Sequence, residues 1–266
     1  MLTDSPVNRP KEFFELIRLW LQDCDENHPG CRGTSTTRLP TRLIHVGKSN
    51  ADKIFLYETT KEDQRQYQKD GSDKYSYVAL SHRWGDPKKC NHFVTLPGTV
   101  LDDFKKEIPL SGDYGLPPTF QHAIEVTRCL GKEYLWIDSI CILQGPDGDF
   151  KTEAKRMEDV FSSAYCVIAA SRAEDQRDGF LKPREDRKFL KFETSAGNPF
   201  YVCEPIDDFK RDVLDGPLNK RGWVLQERAL ARRTIYFTKV QMYFECGEGV
   251  RCETLSKIRQ YVDLPN

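Results

Sequence analysis

"YLWIDSICI", residues 134–142, decides the fold. Its apolar residues run on without the alternation of a half-wetted strand. It therefore reads as a central strand buried on both faces. Such a strand needs similar neighbours, and the chain supplies two. "YSYVALSH" (75–82) and "YCVIAAS" (165–171) are equally apolar. Helices separate the three. "PPTFQHAIEVTRCLG" (117–131) places Phe120, Ala123, Ile124 and Thr127 on one face and stops at Gly131. "DFKTEAKRMEDVFSSA" (149–164) aligns Phe150, Ala154, Met157, Phe161 and Ala164 in one stripe. Strand and helix alternating with short joins predict a parallel α/β sheet.

Working outward, "RPKEFFELIRLWLQDC" (9–24) predicts an amphipathic helix with Phe13, Ile17, Trp20 and Leu21 on its apolar face. "TRLIHV" (41–46) and "KIFLYETT" (53–60) predict a hairpin. The polar run "KEDQRQYQKDGSDK" (61–74) is the best linker candidate, which divides the chain into a 1–74 extension packed on the core and a 75–266 core. After Ser171 the alternation breaks. "RKFLKFET" and "PFYVCEP" predict an inserted antiparallel hairpin, followed by a helix opening at "GWVLQERAL" and the strands "RTIYFT" and "VQMYFEC".

The 266 residues carry 40 basic and 41 acidic side chains, so no global field points to nucleic acid or to a membrane surface. No apolar run approaches the ~20 residues of a membrane span. The start of the chain lacks the pattern of a signal peptide. Nine cysteines, an odd number, scattered through the elements read as thiols in a reducing compartment. A cytoplasmic protein is expected. The P-loop, zincin, nucleophile-elbow and dinucleotide-fingerprint motifs do not occur, which weighs against the chemistries they carry.

Several groups are candidates for chemistry. In "ALSHRWGD" (79–86), Ser81, His82, Arg83 and Trp84 stand beyond the carboxyl end of a strand, where ligands bind parallel sheets. Arg83 can hold a phosphate and Trp84 can stack on a ring; the bland alternative is a structural turn. Asp138 reads as a carboxylate inside an apolar strand, serving either a ligand hydroxyl or a neighbouring arginine or backbone N–H. Lys220, Arg221, Arg228, Arg232 and Arg233 form either a solvated face or a dock for a diphosphate or an acidic lipid. Cys24, His28 and Cys31 are three metal-ligand types at irregular spacing, with Cys90 and His92 elsewhere. Zinc wants four ligands, so no metal is expected. Glu227 is unusual. Its helical neighbours Trp223, Val224, Leu230 and Ala231 are all apolar, so it stands in the middle of an apolar stripe.

"YVALSHRWGD", "LPPTFQHAIEVTRCLGKEYLWIDSICILQ", "EAKRMEDVFSSAYCVIAAS" and "GPLNKRGWVLQERALARRTIYF" resemble the heterokaryon incompatibility (HET) domain family of filamentous fungi, in its order and spacing over most of residues 75–237. The resemblance implies nonself recognition and regulated cell death. More distantly, the core is similar to Toll/interleukin-1 receptor (TIR) domains, which implies a flavodoxin-like sheet. In TIR domains that cleave NAD, a glutamate follows a tryptophan by four residues on a helix, and Trp223 and Glu227 have that spacing. The chain departs from the TIR pattern in its N-terminal extension and in residues 172–218. The similarity implies hydrolysis of NAD as substrate, with no further cofactor, and activity that depends on self-association, with an upstream recognition protein or domain as a candidate partner. One rival is a non-enzymatic signalling module that kills by assembly. Another is a cysteine hydrolase built on Cys141 with His82 or His122.

Overall fold

The computed structural model describes residues 10–32, 38–49, 51–70, 73–89, 91–112, 115–184, 189–194, 199–203, 207–220, 222–254 and 257–258. Its strands are β1 (Arg42–His45), β2 (Phe55–Glu58), β3 (Tyr77–Ser81), β4 (Tyr134–Ile137), β5 (Cys166–Ala169), β6 (Phe189–Glu193), β7 (Pro199–Cys203), β8 (Arg233–Phe237), β9 (Met242–Cys246), β10 (Gly249–Cys252) and β11 (Lys257–Ile258). Its helices are α1 (Pro10–Asn27), α2 (Lys61–Asp70), α3 (Thr99–Lys106), α4 (Pro118–Cys129), α5 (Asp138–Cys141), α6 (Phe150–Glu153), α7 (Met157–Ser163) and α8 (Gly222–Leu230).

The three apolar runs become β3, β4 and β5, and every residue of each is buried. They pair in parallel, with β3 in the middle, and β8 joins β5 in parallel. The remaining strands of the nine-stranded sheet are antiparallel additions, in the order β11-β10-β9-β8-β5-β3-β4-β1-β2. The predicted hairpin of residues 41–60 exists as β1–β2, and β1 also pairs with β4. The extension thus contributes strands to the sheet itself. The second predicted hairpin forms β6–β7, a separate two-stranded sheet.

Side-chain alternation assigns the two faces. On one face, Trp20 of α1 stacks on Phe244 at 6.0 Å and Phe13 lies 5.9 Å from Phe237. α4 reaches the same face through His122, Phe180 and Phe237. The other face presents Ala79, Ser81, Trp136, Val167, Ala169, Tyr236 and Tyr243. There Phe161 of α7 packs edge-on against Trp136, and Val224 of α8 joins Ala169, Tyr236 and Tyr243 in a buried cluster. Ile17, Trp20 and Leu21 are 0%, 3% and 2% exposed, so the apolar stripe of α1 is spent inside the common core. Each such side chain contributes about 1.5–3 kcal/mol.

α4 ends as its glycine predicts. Gly131 has φ +70°, its N–H bonds Arg128 O, and the Lys132 N–H bonds Thr127 O. This is a Schellman closure, which needs a left-handed residue at that place.

Four readings change. Residues 61–70 of the expected linker form α2. Its start is a capping box in which Thr60 N–H bonds Asp63 Oδ2 and Asp63 N–H bonds Thr60 Oγ1. The 149–164 helix breaks into α6, a 3-10 turn and α7, and Phe150 at its head is 47% exposed. β4 stops at Ile137, so Asp138 opens the helical turn α5 and does not lie within the strand. α3, β10 and β11 arise where no element was expected. Among the described residues, no helix is long and apolar enough to cross a membrane.

Candidate functional site

α8 packs on the sheet face that carries Ala169 and Tyr236, and holds Glu227, at 4% exposure, against the end of β3. Ser81, the last residue of β3, is equally buried at 4% and faces the same side. Its Oγ donates a hydrogen bond to Glu227 Oε2. Val167 and Ala169 of β5, Thr234 and Tyr236 of β8, Val224 and Arg228 of α8, and Leu218 and Asn219 before it line a cavity beside the pair. Only about 10 Å³ of it admits a water-sized sphere, roughly the room of one water molecule. The carboxylate is thus held by a hydroxyl beside a small space.

Arg228, the neighbour of Glu227, turns to β9. It makes a bidentate pair with Glu245, at 2.9 Å from Nε to Oε2 and 2.6 Å from Nη2 to Oε1. Tyr236 donates to the same carboxylate at 2.5 Å. Burial, and then the charge of Glu245, push the Tyr236 phenol well above its ordinary pKa, so it stays a neutral donor. The sequence reading missed Glu245. A carboxylate in the apolar run "QMYFEC" was the available signal, by the same logic that singled out Asp138.

The rest of "ALSHRWGD" gathers on Asp138. Trp84 Nε1 donates to Asp138 Oδ2 at 2.8 Å, and His82 Nδ1 lies 3.7 Å from Oδ1. The Ser139 backbone N–H bonds Asp138 Oδ1 at 2.7 Å, which fixes the carboxylate at the head of α5. His82 is 1% exposed and meets Phe120 of α4 edge-on at 5.0 Å. Ser81 and His82 therefore point to opposite faces of the sheet, as consecutive residues at a strand end do. Arg83 is half-buried beside them. The candidate residues form two groups, Ser81 with Glu227 and His82 with Trp84 and Asp138. Trp223 lies in α8, but its side chain is outside the described residues, as are Arg221 and Cys90.

Cys141 does not suit the nucleophile of a cysteine hydrolase. Cys141 is 1% exposed, and burial pushes its thiol up to about 12. His122 Nδ1 accepts from the Phe180 and Leu181 backbone N–H groups at 3.0 and 3.1 Å. Elsewhere, the Cys24, His28 and Cys31 set gains Cys246 of β9. The expectation of no metal rested on three ligands, and β9 brings a fourth from far along the chain.

The family pattern described as heterokaryon incompatibility protein (HET) matches residues 77–227, more than half of the chain. The chain belongs to the HET family. Heterokaryon incompatibility protein 6, OR allele, of Neurospora crassa is 35% identical to this HET chain over 95 residues, which is 35% of this chain and 14% of that protein. No solved structure matches the chain. The HET match opens on β3 and closes on Glu227, so the hydrogen-bonded pair Ser81 and Glu227 lies near its two ends.

Proposed function

We propose that this HET domain is a fungal nonself-recognition cell-death effector that works in the cytoplasm and hydrolyses NAD to nicotinamide and an ADP-ribose product. The observation that carries the reading is Glu227, buried against the carboxyl end of β3 and oriented there by Ser81. The four parallel strands lie in the order β4-β3-β5-β8. Numbered among themselves along the chain, that order is 2-1-3-4, the order that opens a flavodoxin-like sheet, whose ligands bind between the first and third strands. Ser81 and Ala169 are a cross-strand pair at that place. The order supports kinship with TIR domains.

The chemistry suits a single carboxylate. Nicotinamide leaves NAD as a neutral molecule that takes the electron pair of the broken N-glycosidic bond, so no general acid is needed. The oxocarbenium-like centre left on the ribose is stabilised by the Glu227 charge, more strongly in an apolar surround than in water. Water then adds its hydroxyl to the anomeric carbon and releases a proton. Arg83, Trp84 and Asp138 stand near the same end of β3 and would meet other parts of the dinucleotide, whereas His82 is packed under Phe120 on the opposite face.

The space beside Glu227 is far below the roughly 300–1,000 Å³ of a ligand pocket. NAD would enter only after α8 moves, and assembly of several copies is the step that would move it. Incubating the protein with NAD over a range of protein concentrations tests both points. Nicotinamide release with a specific activity that rises with concentration is expected. Zero release at every concentration would refute the enzymatic reading. The small size of the cavity favours one second reading, a HET module that signals by assembly and partner recruitment, with Ser81–Glu227 as an internal latch.

A further inference from the structure

We propose that Cys24, His28, Cys31 and Cys246 bind one zinc ion that fastens α1 to the β9–β10 hairpin. One donor atom from each residue lies within 4.8 Å of all the others. Tetrahedral zinc with Zn–S bonds near 2.3 Å places its ligands about 3.8 Å apart, so the four need contract only by about an ångström. Three thiolates with an imidazole are a soft donor set, which selects zinc over magnesium or calcium.

The local backbone presents these side chains as a metal knuckle does. His28 N–H bonds Cys24 O at 3.0 Å, which carries the helical spacing one step past Asn27. A 3-10 turn, Pro29–Cys31, then brings Cys31 back, with its N–H on His28 O at 2.9 Å. Cys246 ends β9, and its Sγ lies 3.5 Å from His28 Nδ1 across 218 positions of sequence. The next residue, Gly247, has no side chain, and a Cβ there would stand 3.4 Å from Cys31 Sγ. Cys24, Cys31 and Cys246 are 0%, 4% and 9% exposed, which gives a dry shell with an outer opening at His28.

The surroundings suit the single net negative charge of such a centre. Arg251 is taken up by Asp23 and Arg233 by Asp25, but the Arg233 charge still reaches the Cys24 thiol. Arg232 Nη1 reaches Cys31 O at 3.5 Å. A disulfide would use two of the three thiols and leave the third thiol and the imidazole unexplained. Cys246 pairs with Arg233 at the amino end of β8, whereas Ser81 and Glu227 meet at the carboxyl end of β3. The site is therefore structural and separate from the proposed catalytic carboxylate.

The test uses full-length protein purified without chelator under a phosphine reductant. About one zinc per chain is expected, falling below about a tenth in Cys246→Ser and unchanged in Cys129→Ser. Chelator-stripped protein should melt lower by roughly 10 °C. Titrating it with cobalt should give thiolate-to-metal charge-transfer bands and the intense visible bands of a tetrahedral site. If Cys246→Ser fails to fold, the cobalt spectrum of the unaltered chain still decides. Less than about a tenth of a zinc per chain with no thiolate bands on cobalt addition would overturn the proposal. So would a disulfide between any two of the three cysteines, or full zinc content in Cys246→Ser.

Discussion

Ser81 Oγ donates a hydrogen bond to Glu227 Oε2 across 146 positions of sequence. This contact ties the first parallel strand to α8 and separates two roles for the carboxylate. Glu227→Gln keeps the shape and a hydrogen bond to Ser81 but removes the charge. If the charge stabilises a transition state, nicotinamide release should fall at least about 100-fold in a protein of unchanged melting temperature. Ser81→Ala should leave the carboxylate less well held, cost about 1–3 kcal/mol of stability and reduce turnover less. Near-normal turnover by a folded Glu227→Gln protein would end the catalytic reading.

The bidentate bond between Arg228 and Glu245 leads to a different expectation for the helix's next residue. Arg228→Ala should destabilise by about 2–4 kcal/mol, because it strands a half-buried carboxylate. Arg228→Lys should recover little, since a lysine cannot form the two parallel bonds. Urea denaturation measures both. A variant of full stability that loses NAD binding would instead make Arg228 a ligand for the diphosphate.

Arg42 of β1 donates to Asp149 Oδ2 at 2.6 Å and to Cys141 O at 3.0 Å, and its Nε lies 3.3 Å from Glu58 Oε1. It fastens the N-terminal hairpin to the segment after α5. Its side chain is 7% exposed and that of Asp149 is 27% exposed. Arg42→Ala should cost about 2–4 kcal/mol and raise the proteolytic sensitivity of residues 38–60. Unchanged digestion and stability would show that sheet pairing alone holds the hairpin.

Asp63 yields a pH prediction. Burial raises its pKa, but bonds from Tyr57, Tyr75 and Thr60 outweigh this and hold it well below the usual carboxylate value. The unfolded chain, with a carboxyl near ~3.9, binds the proton more readily than the folded one. The stabilisation is therefore complete above that value and is lost as the pH falls towards the folded pKa. Asp63→Asn should be less stable by about 1–3 kcal/mol at pH 7, and the gap should shrink as unfolding is measured at progressively lower pH. A gap independent of pH would refute the linkage.

The parallel core could be read from the chain because β3, β4 and β5 are apolar throughout and have short helical joins. The misreadings have physical causes. α2 is almost wholly polar, and only the Thr60–Asp63 capping box announced it. β4 ends at Ile137, five residues before the apolar run does, and Asp138, which takes the Ser139 N–H and the Trp84 indole, opens a helical turn that an apolar count cannot see. Glu227 announced itself by its apolar neighbours, but its partner Ser81 could not be deduced, since tertiary contact alone joins them. The same holds for Cys246, whose neighbours Cys24, His28 and Cys31 come from the other end of the chain.

Residues 77–227 contain β3, β4 and β5, yet the strands that cover the outer rims of this trio, β1 and β8, lie outside that span. A fragment trimmed to those limits would bare the free N–H and C=O groups of two fully buried strands. Such rims recruit further strands, so the fragment should aggregate on expression instead of folding. Cleavage between Glu227 and β8 would leave β1 on β4 but bare the rim of β5, turning the chain into a template for its own polymer.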